Sequence, residues 1–361
     1  MIVILLSRKN SGYYRIDFLI TRIPLTHTGY LLINLGTPAS TEIADVRAYL
    51  KQFLMDPYVL DVPTPIRRLI VNGFILPFRP KKSAAAYASI WEPEGSPLLV
   101  ECRALETEMQ TALEAPTVLG MRYGEPSLEH AVQSLISQGV KRIVMVPLYP
   151  QYADSTITTS VAEVQRLVPA SIETCVVPPF FADSDYISAL SETVRQALPA
   201  QWDHVLMSYH GLPERHLRKA DPTGEHCLEH PDCCQRPSTA HDTCYRHQVY
   251  GTSRALAEAL GLSESEYTVS FQSRLGGGWM QPYTDKVLAE LPGQGIRRLV
   301  VVCPAFVADN LETLEEMGMQ GRETFLAAGG EHFELIPCLN HTPAWVRALT
   351  SIIHQFEQDL N

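Results

Sequence analysis

The stretch "HVLMSYHGLP" (residues 204–213) aligns without a gap on "GYLLINLGTP" (29–38), and this pairing decides the fold. Each is an apolar run of strand length ending in G-x-P, the punctuation of a buried strand that breaks into a turn. Two further pairs follow in the same order: "TVLGMRYG" (117–124) with "YTVSFQSR" (267–274), and "GVKRIVMVPLYP" (139–150) with "GIRRLVVVCPAF" (295–306). Stretches of helical period such as "SLEHAVQSLISQG" and "TSRALAEALG" separate the runs. Apolar strands alternating with helices predict parallel sheets covered on both faces. The repeat therefore predicts an α/β chain of two similar Rossmann-like, doubly wound domains. A ligand is expected in the cleft between them, beyond the carboxyl ends of the strands. On this reading residues 1–28 are an extension, 29–165 the first domain and 166–335 the second. Residues 336–361 form a C-terminal segment whose helix packs back on the first domain.

A chain of 361 residues has room for two domains, and 45% apolar with 19% charged residues marks a globular protein. The formal charge of −11 excludes a broad nucleic-acid surface. No G-x-G-x-x-G follows the first strand and no G-x-x-x-x-G-K-[ST] occurs, so no nucleotide is expected. The glycines of "LGGGW" (275–279) lack the required spacing. "MIVILLSRKN" places its cations after a short apolar run, unlike a secretory signal, and no run is long enough to cross a bilayer. A cytoplasmic location is expected.

Polar residues just after the apolar runs are the first functional candidates. His210 closes the run "VLMSYH", a good post for a base or a metal-ligating imidazole, although a histidine that merely bonds its own turn is the commoner case. In "VADNLETLEEMG", Asp309 reads as a helix N-cap and Glu312 as its capping-box partner, with Glu316 one turn on along the same face and Glu315 off that line. Glu312 and Glu316 thus have either a structural reading or one as an acid, base or cation track. The first half supplies Arg122, Tyr123, Tyr149, Tyr152, Ser155 and Thr156, which suit a flat anionic ligand, and Trp279 suits an aromatic wall. The apolar, proline-punctuated segment 46–80 reads as a packed helix pair, the rim of an apolar pocket or a membrane-touching lip.

Four of the eight cysteines, Cys227, Cys233, Cys234 and Cys244, crowd into "GEHCLEHPDCCQRPSTAHDTC" (224–244), within an insertion over 221–247. Cys102, Cys175, Cys303 and Cys338 sit in apolar contexts and read as buried thiols. Disulfides are rare in the cytoplasm, which leaves zinc or an iron-sulfur cluster. The spacing C-x5-CC-x9-C matches neither a paired C-x-x-C zinc site nor a common ferredoxin pattern. His226, His230, His241 and His247 are spare ligands on the zinc reading.

Taken in order, "NLGTP", "YLKQFLMDP", "GSPL", "MRYGEP", "LYPQY", "SYHGLP", "FQSR", the tryptophan before "PYTD", and "FVADNLETLEE" resemble the ferrochelatases over about residues 29–356. The resemblance implies a lyase that inserts Fe2+ into protoporphyrin IX, forming protohaem and releasing two protons. It implies His210 as the catalytic histidine, Glu312 as the essential glutamate and Glu316 as its acidic companion, with His210 and Glu312 the residues that meet the substrate iron. It places Arg122, Tyr123, Tyr152, Ser155, Thr156 and Trp279 around the porphyrin, and Arg79 near a propionate. It also implies a monomer or homodimer, with the 46–80 lip making peripheral contact with the inner membrane. Some bacterial members carry an internal four-cysteine insertion that holds a [2Fe-2S] cluster, which implies that cluster on Cys227, Cys233, Cys234 and Cys244, with zinc as the alternative. A second subset uses a cysteine beside "PQY" and a C-terminal group. Here Ala153 and Asp154 follow that motif and no cysteine follows Cys338, so the second pattern is absent. Two other functions compete: a porphyrin or haem carrier without catalysis, and a chelatase for cobalt, nickel or another tetrapyrrole.

Overall fold

The computed structural model describes residues 4–8, 14–18, 27–274 and 277–360. In the segment read as an extension, β1 (Ile4–Arg8) and β2 (Tyr14–Phe18) pair antiparallel; residues 1–3, 9–13 and 19–26 lie outside the described residues, as do Leu275 and Gly276 of "LGGGW". One parallel sheet holds β3 (Thr28–Gly36), β4 (Thr117–Tyr123), β5 (Arg142–Pro147) and β6 (Glu173–Val176), in the order β4-β3-β5-β6. A second holds β7 (His204–His210), β8 (Tyr267–Gln272), β9 (Arg298–Val302) and β10 (His332–Leu335), in the order β10-β9-β7-β8. Read from the other edge, the second order is that of the first. The three sequence pairs are thus β3 with β7, β4 with β8 and β5 with β9, each pair at the same place in its sheet.

The central strands β3, β5 and β9 are largely apolar because both faces are covered, and successive side chains leave on opposite faces. Tyr30 and Leu32 of β3 join the same apolar core as Val205, Met207 and Tyr209 of β7, while Leu31 and Ile33 fill a separate cluster on the outer face. Leu206, Leu299 and Val301 fill the corresponding outer cluster of the second sheet. The inner faces of both sheets therefore share one continuous core, reached also by the helices Pro97–Leu113, Ser184–Ala197, Tyr245–Leu260 and Pro343–Asp359. The last of these lies against the first two, and its Glu357 accepts the Tyr30 hydroxyl at 2.8 Å.

The repeated glycine of G-x-P has the same cause in both halves. A Cβ on Gly36, which has φ +111°, would meet the Tyr123 carbonyl oxygen at 1.7 Å. One on Gly211 would meet the Gln272 carbonyl oxygen at 2.9 Å. In each sheet the chain leaving the first strand presses on the end of the second, and only hydrogen fits. His210 is held by this arrangement at the mouth of its sheet.

Segment 46–80 builds its own small core from Val46, Tyr49, Leu50, Val71 and Leu76, packed with Ala84, Tyr87 and Tyr123. Its outer side leaves Ile66, Leu69, Phe74 and Phe78 exposed, Phe78 by 76%. The segment thus has a packed inner side and an apolar outer side.

Candidate active site

His210 is half-buried at the end of β7, its ring edge-on to Phe306 with centroids 6.5 Å apart. The surrounding protein disfavours a charged imidazole and pushes its pKa below the usual value. His210 is in register with Gln272 of β8, and Gln272 is fully engaged. Its Oε1 accepts the Ser208 hydroxyl at 2.6 Å and its Nε2 donates to the Glu312 carbonyl at 2.9 Å. The next residue, Ser273, has φ +65° and donates its hydroxyl to the Glu316 carboxylate. The ends of β7 and β8 therefore hold the segment bearing both glutamates against the strand that ends in His210.

That segment, Glu312–Gly321, is a π-helix, a winding that often marks functional sites. Its start differs from the sequence expectation. Asn310 and Thr313 cap it reciprocally, Thr313 N–H to Asn310 Oδ1 at 3.0 Å and Asn310 N–H to Thr313 Oγ1 at 3.0 Å. Asp309 instead accepts the Asn340 amide at 2.8 Å and the Cys338 N–H at 3.2 Å. Asp309 is not the N-cap, and Glu312 is not a capping-box partner: both cap groups lie one residue later, which releases the Glu312 carboxyl from that role. Burial first, then the neighbouring Glu316, raises the Glu312 pKa to about 7; burial likewise raises that of Glu316. Arg79, exposed at the start of helix Arg79–Ile90, acts on both carboxyls in the opposite sense. Tyr49 and Tyr87 of the lip core lie within electrostatic reach of Glu312. Trp279, in the segment after β8, is half-buried against the turn that follows His210, where it bridges Pro213, and a Cβ on Gly211 would lie 3.7 Å from its ring.

The first-half candidates are arranged differently. Arg122 and Tyr123 turn to a buried carboxylate that the sequence did not single out: Asp56 Oδ2 accepts Arg122 Nη2 at 2.6 Å, the Tyr123 hydroxyl at 2.8 Å and Thr159 Oγ1 at 2.6 Å. They anchor the end of the lip helix Ile43–Leu54 to β4. Tyr152 is half-buried, its hydroxyl 3.0 Å from Asp154 Oδ1 and 2.6 Å from Thr158 Oγ1. Ser155 and Thr156 lie in the short π-helix Asp154–Thr158, where Thr156 donates to the Ala153 carbonyl at 3.2 Å. Tyr149 is buried behind them.

None of the eight cysteines is in a disulfide. In the insertion, Cys227, Cys233, Cys234 and Cys244 are each no more than 8% exposed. Hydrogen bonds from Cys227 and Cys234 hold the Cys244 thiol down at about 3, and the same contacts push those two partners up. Three of the four loop histidines turn one ring nitrogen to the loop backbone: His226 Nε2 lies 2.8 Å and His241 Nε2 3.2 Å from the Cys233 carbonyl, and His247 Nδ1 2.8 Å from that of Cys234. Among the described residues, no three or more His, Cys, Asp or Glu side chains are grouped closely enough to hold a metal ion as they stand.

The chain matches the ferrochelatase family over residues 27–357. It is 52% identical over 342 residues to a ferrochelatase of Ectopseudomonas mendocina, covering 93% of this chain and 100% of that one. It is 52% identical over 334 residues to a ferrochelatase of Azotobacter vinelandii, covering 91% and 98%. Among solved structures, SirB from Bacillus subtilis with Fe3+ shares the fold at TM-score 0.52 and 14% identity, covering 91% of this chain and 95% of that one. The chain belongs to the ferrochelatase family, the metal-inserting lyases of haem synthesis.

The raised Glu312 pKa has a thermodynamic consequence. The unfolded chain releases this proton near pH 4.5 and the folded chain near 7, so stability falls as pH rises between them. Glu312→Gln is therefore expected to melt higher than the wild type at pH 8, with the difference vanishing toward pH 4.5. Scanning calorimetry across this range checks it; a lower melting temperature at pH 8 contradicts a carboxyl released from capping.

Proposed function

We propose that Fe2+ enters protoporphyrin IX in the cleft at the carboxyl ends of β7 and β8, with His210 as the acceptor of pyrrole protons. The observation that carries this reading is the pair of carboxyls on one π-helix, freed from capping and tied through Gln272 and Ser273 to the strand that ends in His210. An imidazole whose pKa is pushed down is neutral at pH 7 and able to take a proton. The Glu312 carboxyl, near 7, exchanges protons in the same range, and with Glu316 beside it, raised by burial, it suits carrying them away or holding the incoming ion. A porphyrin is flat, apolar and anionic at two propionates. Trp279 supplies an aromatic wall and Arg79 an exposed cation, while Tyr152, Ser155 and Thr156 border the slot from the first half. Arg122 and Tyr123 shape it indirectly, through Asp56. A carrier needs no such proton track, which favours catalysis over mere binding.

The donor types of the insertion suit a [2Fe-2S] cluster: four buried thiols on one loop, two of which, Cys227 and Cys234, hydrogen-bond Cys244, and all four would have to draw together around it. Cys227, Cys233, Cys234 and Cys244 would hold it, and it would supply a one-electron couple and four iron-thiolate bonds cross-linking the loop. Zinc on the same four thiols is the alternative.

The lip suits a membrane surface. Residues 43–82 carry seven Lys and Arg against three Asp and no Glu, in a chain of charge −11. Exposed Phe74 and Phe78 beside these cations match an anionic interface. No helix of the described residues is long and apolar enough to cross a membrane. A cytoplasmic protein collecting porphyrin at the inner membrane, as monomer or homodimer, is the corresponding arrangement.

His210→Ala is expected to lower anaerobic haem formation by about 10²–10⁴-fold while porphyrin binding, read by fluorescence quenching, persists; near-normal turnover removes His210 from the mechanism. The purified protein is expected to be red-brown with two irons and two acid-labile sulfides per chain, whereas a colourless, zinc-loaded, active protein rejects the cluster. Finally, the Phe74→Asp/Phe78→Asp double variant should lose co-sedimentation with anionic liposomes, and unchanged binding would exclude the lip as the contact.

A further inference from the structure

We infer that the first turn of helix Tyr245–Leu260 is a positioning device joining the thiol loop to both halves of the active site, with Tyr245 setting His210 and Gln248 setting Tyr152. Cys244 is the N-cap of this helix, its sulfur accepting the His247 N–H at 3.5 Å. One residue on, the buried Tyr245 donates its hydroxyl to the carbonyl oxygen of His210 at 2.8 Å. Gln248, 1% exposed, uses both ends of its amide. Nε2 donates to the loop carbonyls of His241 and Asp242 at 3.2 and 3.0 Å, and Oε1 accepts the Tyr152 N–H at 2.7 Å. One turn further, Thr252 Oγ1 accepts Gln151 Nε2 at 2.9 Å, beside the same motif.

A buried amide with both ends satisfied cannot slide without orphaning a partner. Position is thus transmitted from the loop to the backbone of Tyr152, and through Tyr245 to the peptide that sets the direction of the His210 ring. The far side of the loop is fixed as well, because Asp221 Oδ2 accepts the N–H groups of His226 and Cys227, each at 2.8 Å. Asp221 directly follows the helix Glu214–Ala220, which begins four residues after His210. The loop is consequently attached to the catalytic strand end from both sides. This explains why half the thiols of the chain stand beside the active site without belonging to it. The inference rests on the reading of His210 as proton acceptor and is indifferent to which metal the thiols hold.

The test uses the full-length protein with its loop metal as purified. Tyr245→Phe keeps the ring and removes one hydroxyl; it is expected to lower kcat about tenfold, the loss of roughly one hydrogen bond in the transition state, with porphyrin KM unchanged. Gln248→Met is expected to raise porphyrin KM about tenfold with kcat little changed, and Gln248→Glu, which keeps the acceptor for Tyr152 but turns an oxygen to the two loop carbonyls, to raise it as well. Loop metal content and visible spectrum are expected to stay at the wild-type level in all three. A merely structural role would lower melting temperature and loop metal together and leave both kinetic constants per active molecule unmoved; that result overturns the inference. Wild-type constants in Tyr245→Phe beside an inactive His210→Ala overturn the positioning alone, whereas an active His210→Ala overturns the underlying reading.

Discussion

The shared apolar core between the inner faces of the two sheets is the constraint on which the rest depends. Alternate residues of β3 and β7 enter it, so neither sheet can turn without exposing a row of fully buried side chains such as Leu32, Val205 and Met207. Exposing one such side chain costs about 1.5–3 kcal/mol, and a rotation would expose several at once. The two sets of strand ends are thereby fixed with respect to each other. The close approaches at Gly36 and Gly211 then set where each first strand stops, and His210 stands at one of those stops.

On this frame the site uses carboxyls that take no part in capping the helix that bears them. Capping of the π-helix falls to Asn310 and Thr313, which leaves Glu312 and Glu316 together in a half-buried place where ionising both is unfavourable. Such a pair destabilises the protein near neutral pH and is the kind of cost retained at functional sites. The first half behaves in the opposite way. The Asp56 carboxylate, 5% exposed, has hydrogen bonds from Arg122, Tyr123, Thr159 and the Tyr58 N–H, so its charge is fully compensated and its work is mechanical.

Much of this was legible in the sequence because a strand buried on both faces is written as a continuous apolar run, and because duplication writes it twice. His210 followed directly, as the polar residue at the end of such a run. Register at the helix start was not legible: "DNLET" offers Asp309 and Asn310 as adjacent cap formers, and only the distant Asn340, which engages Asp309, selects the second. Arg122 and Tyr123 look like free ligands in sequence since their partner Asp56 is 66 and 67 residues away. Gln272 and Ser273 were visible only as part of "FQSR"; their bonds to Glu312 and Glu316 span 40 and 43 residues. The backbone contacts of the loop histidines were not legible either, because their partners are the carbonyls of Cys233 and Cys234, a group that every residue carries.

The central claim is that His210 and the Glu312 carboxyl face the macrocycle at the carboxyl ends of β7 and β8. A crystal structure with protoporphyrin IX bound in the absence of iron tests it most directly. The account predicts a ring seated between the lip and Trp279, with a His210 ring nitrogen within hydrogen-bond reach of a pyrrole nitrogen and the Glu312 carboxyl open to the same cleft. A porphyrin bound elsewhere, or seated there with His210 turned away from its nitrogens, would contradict it.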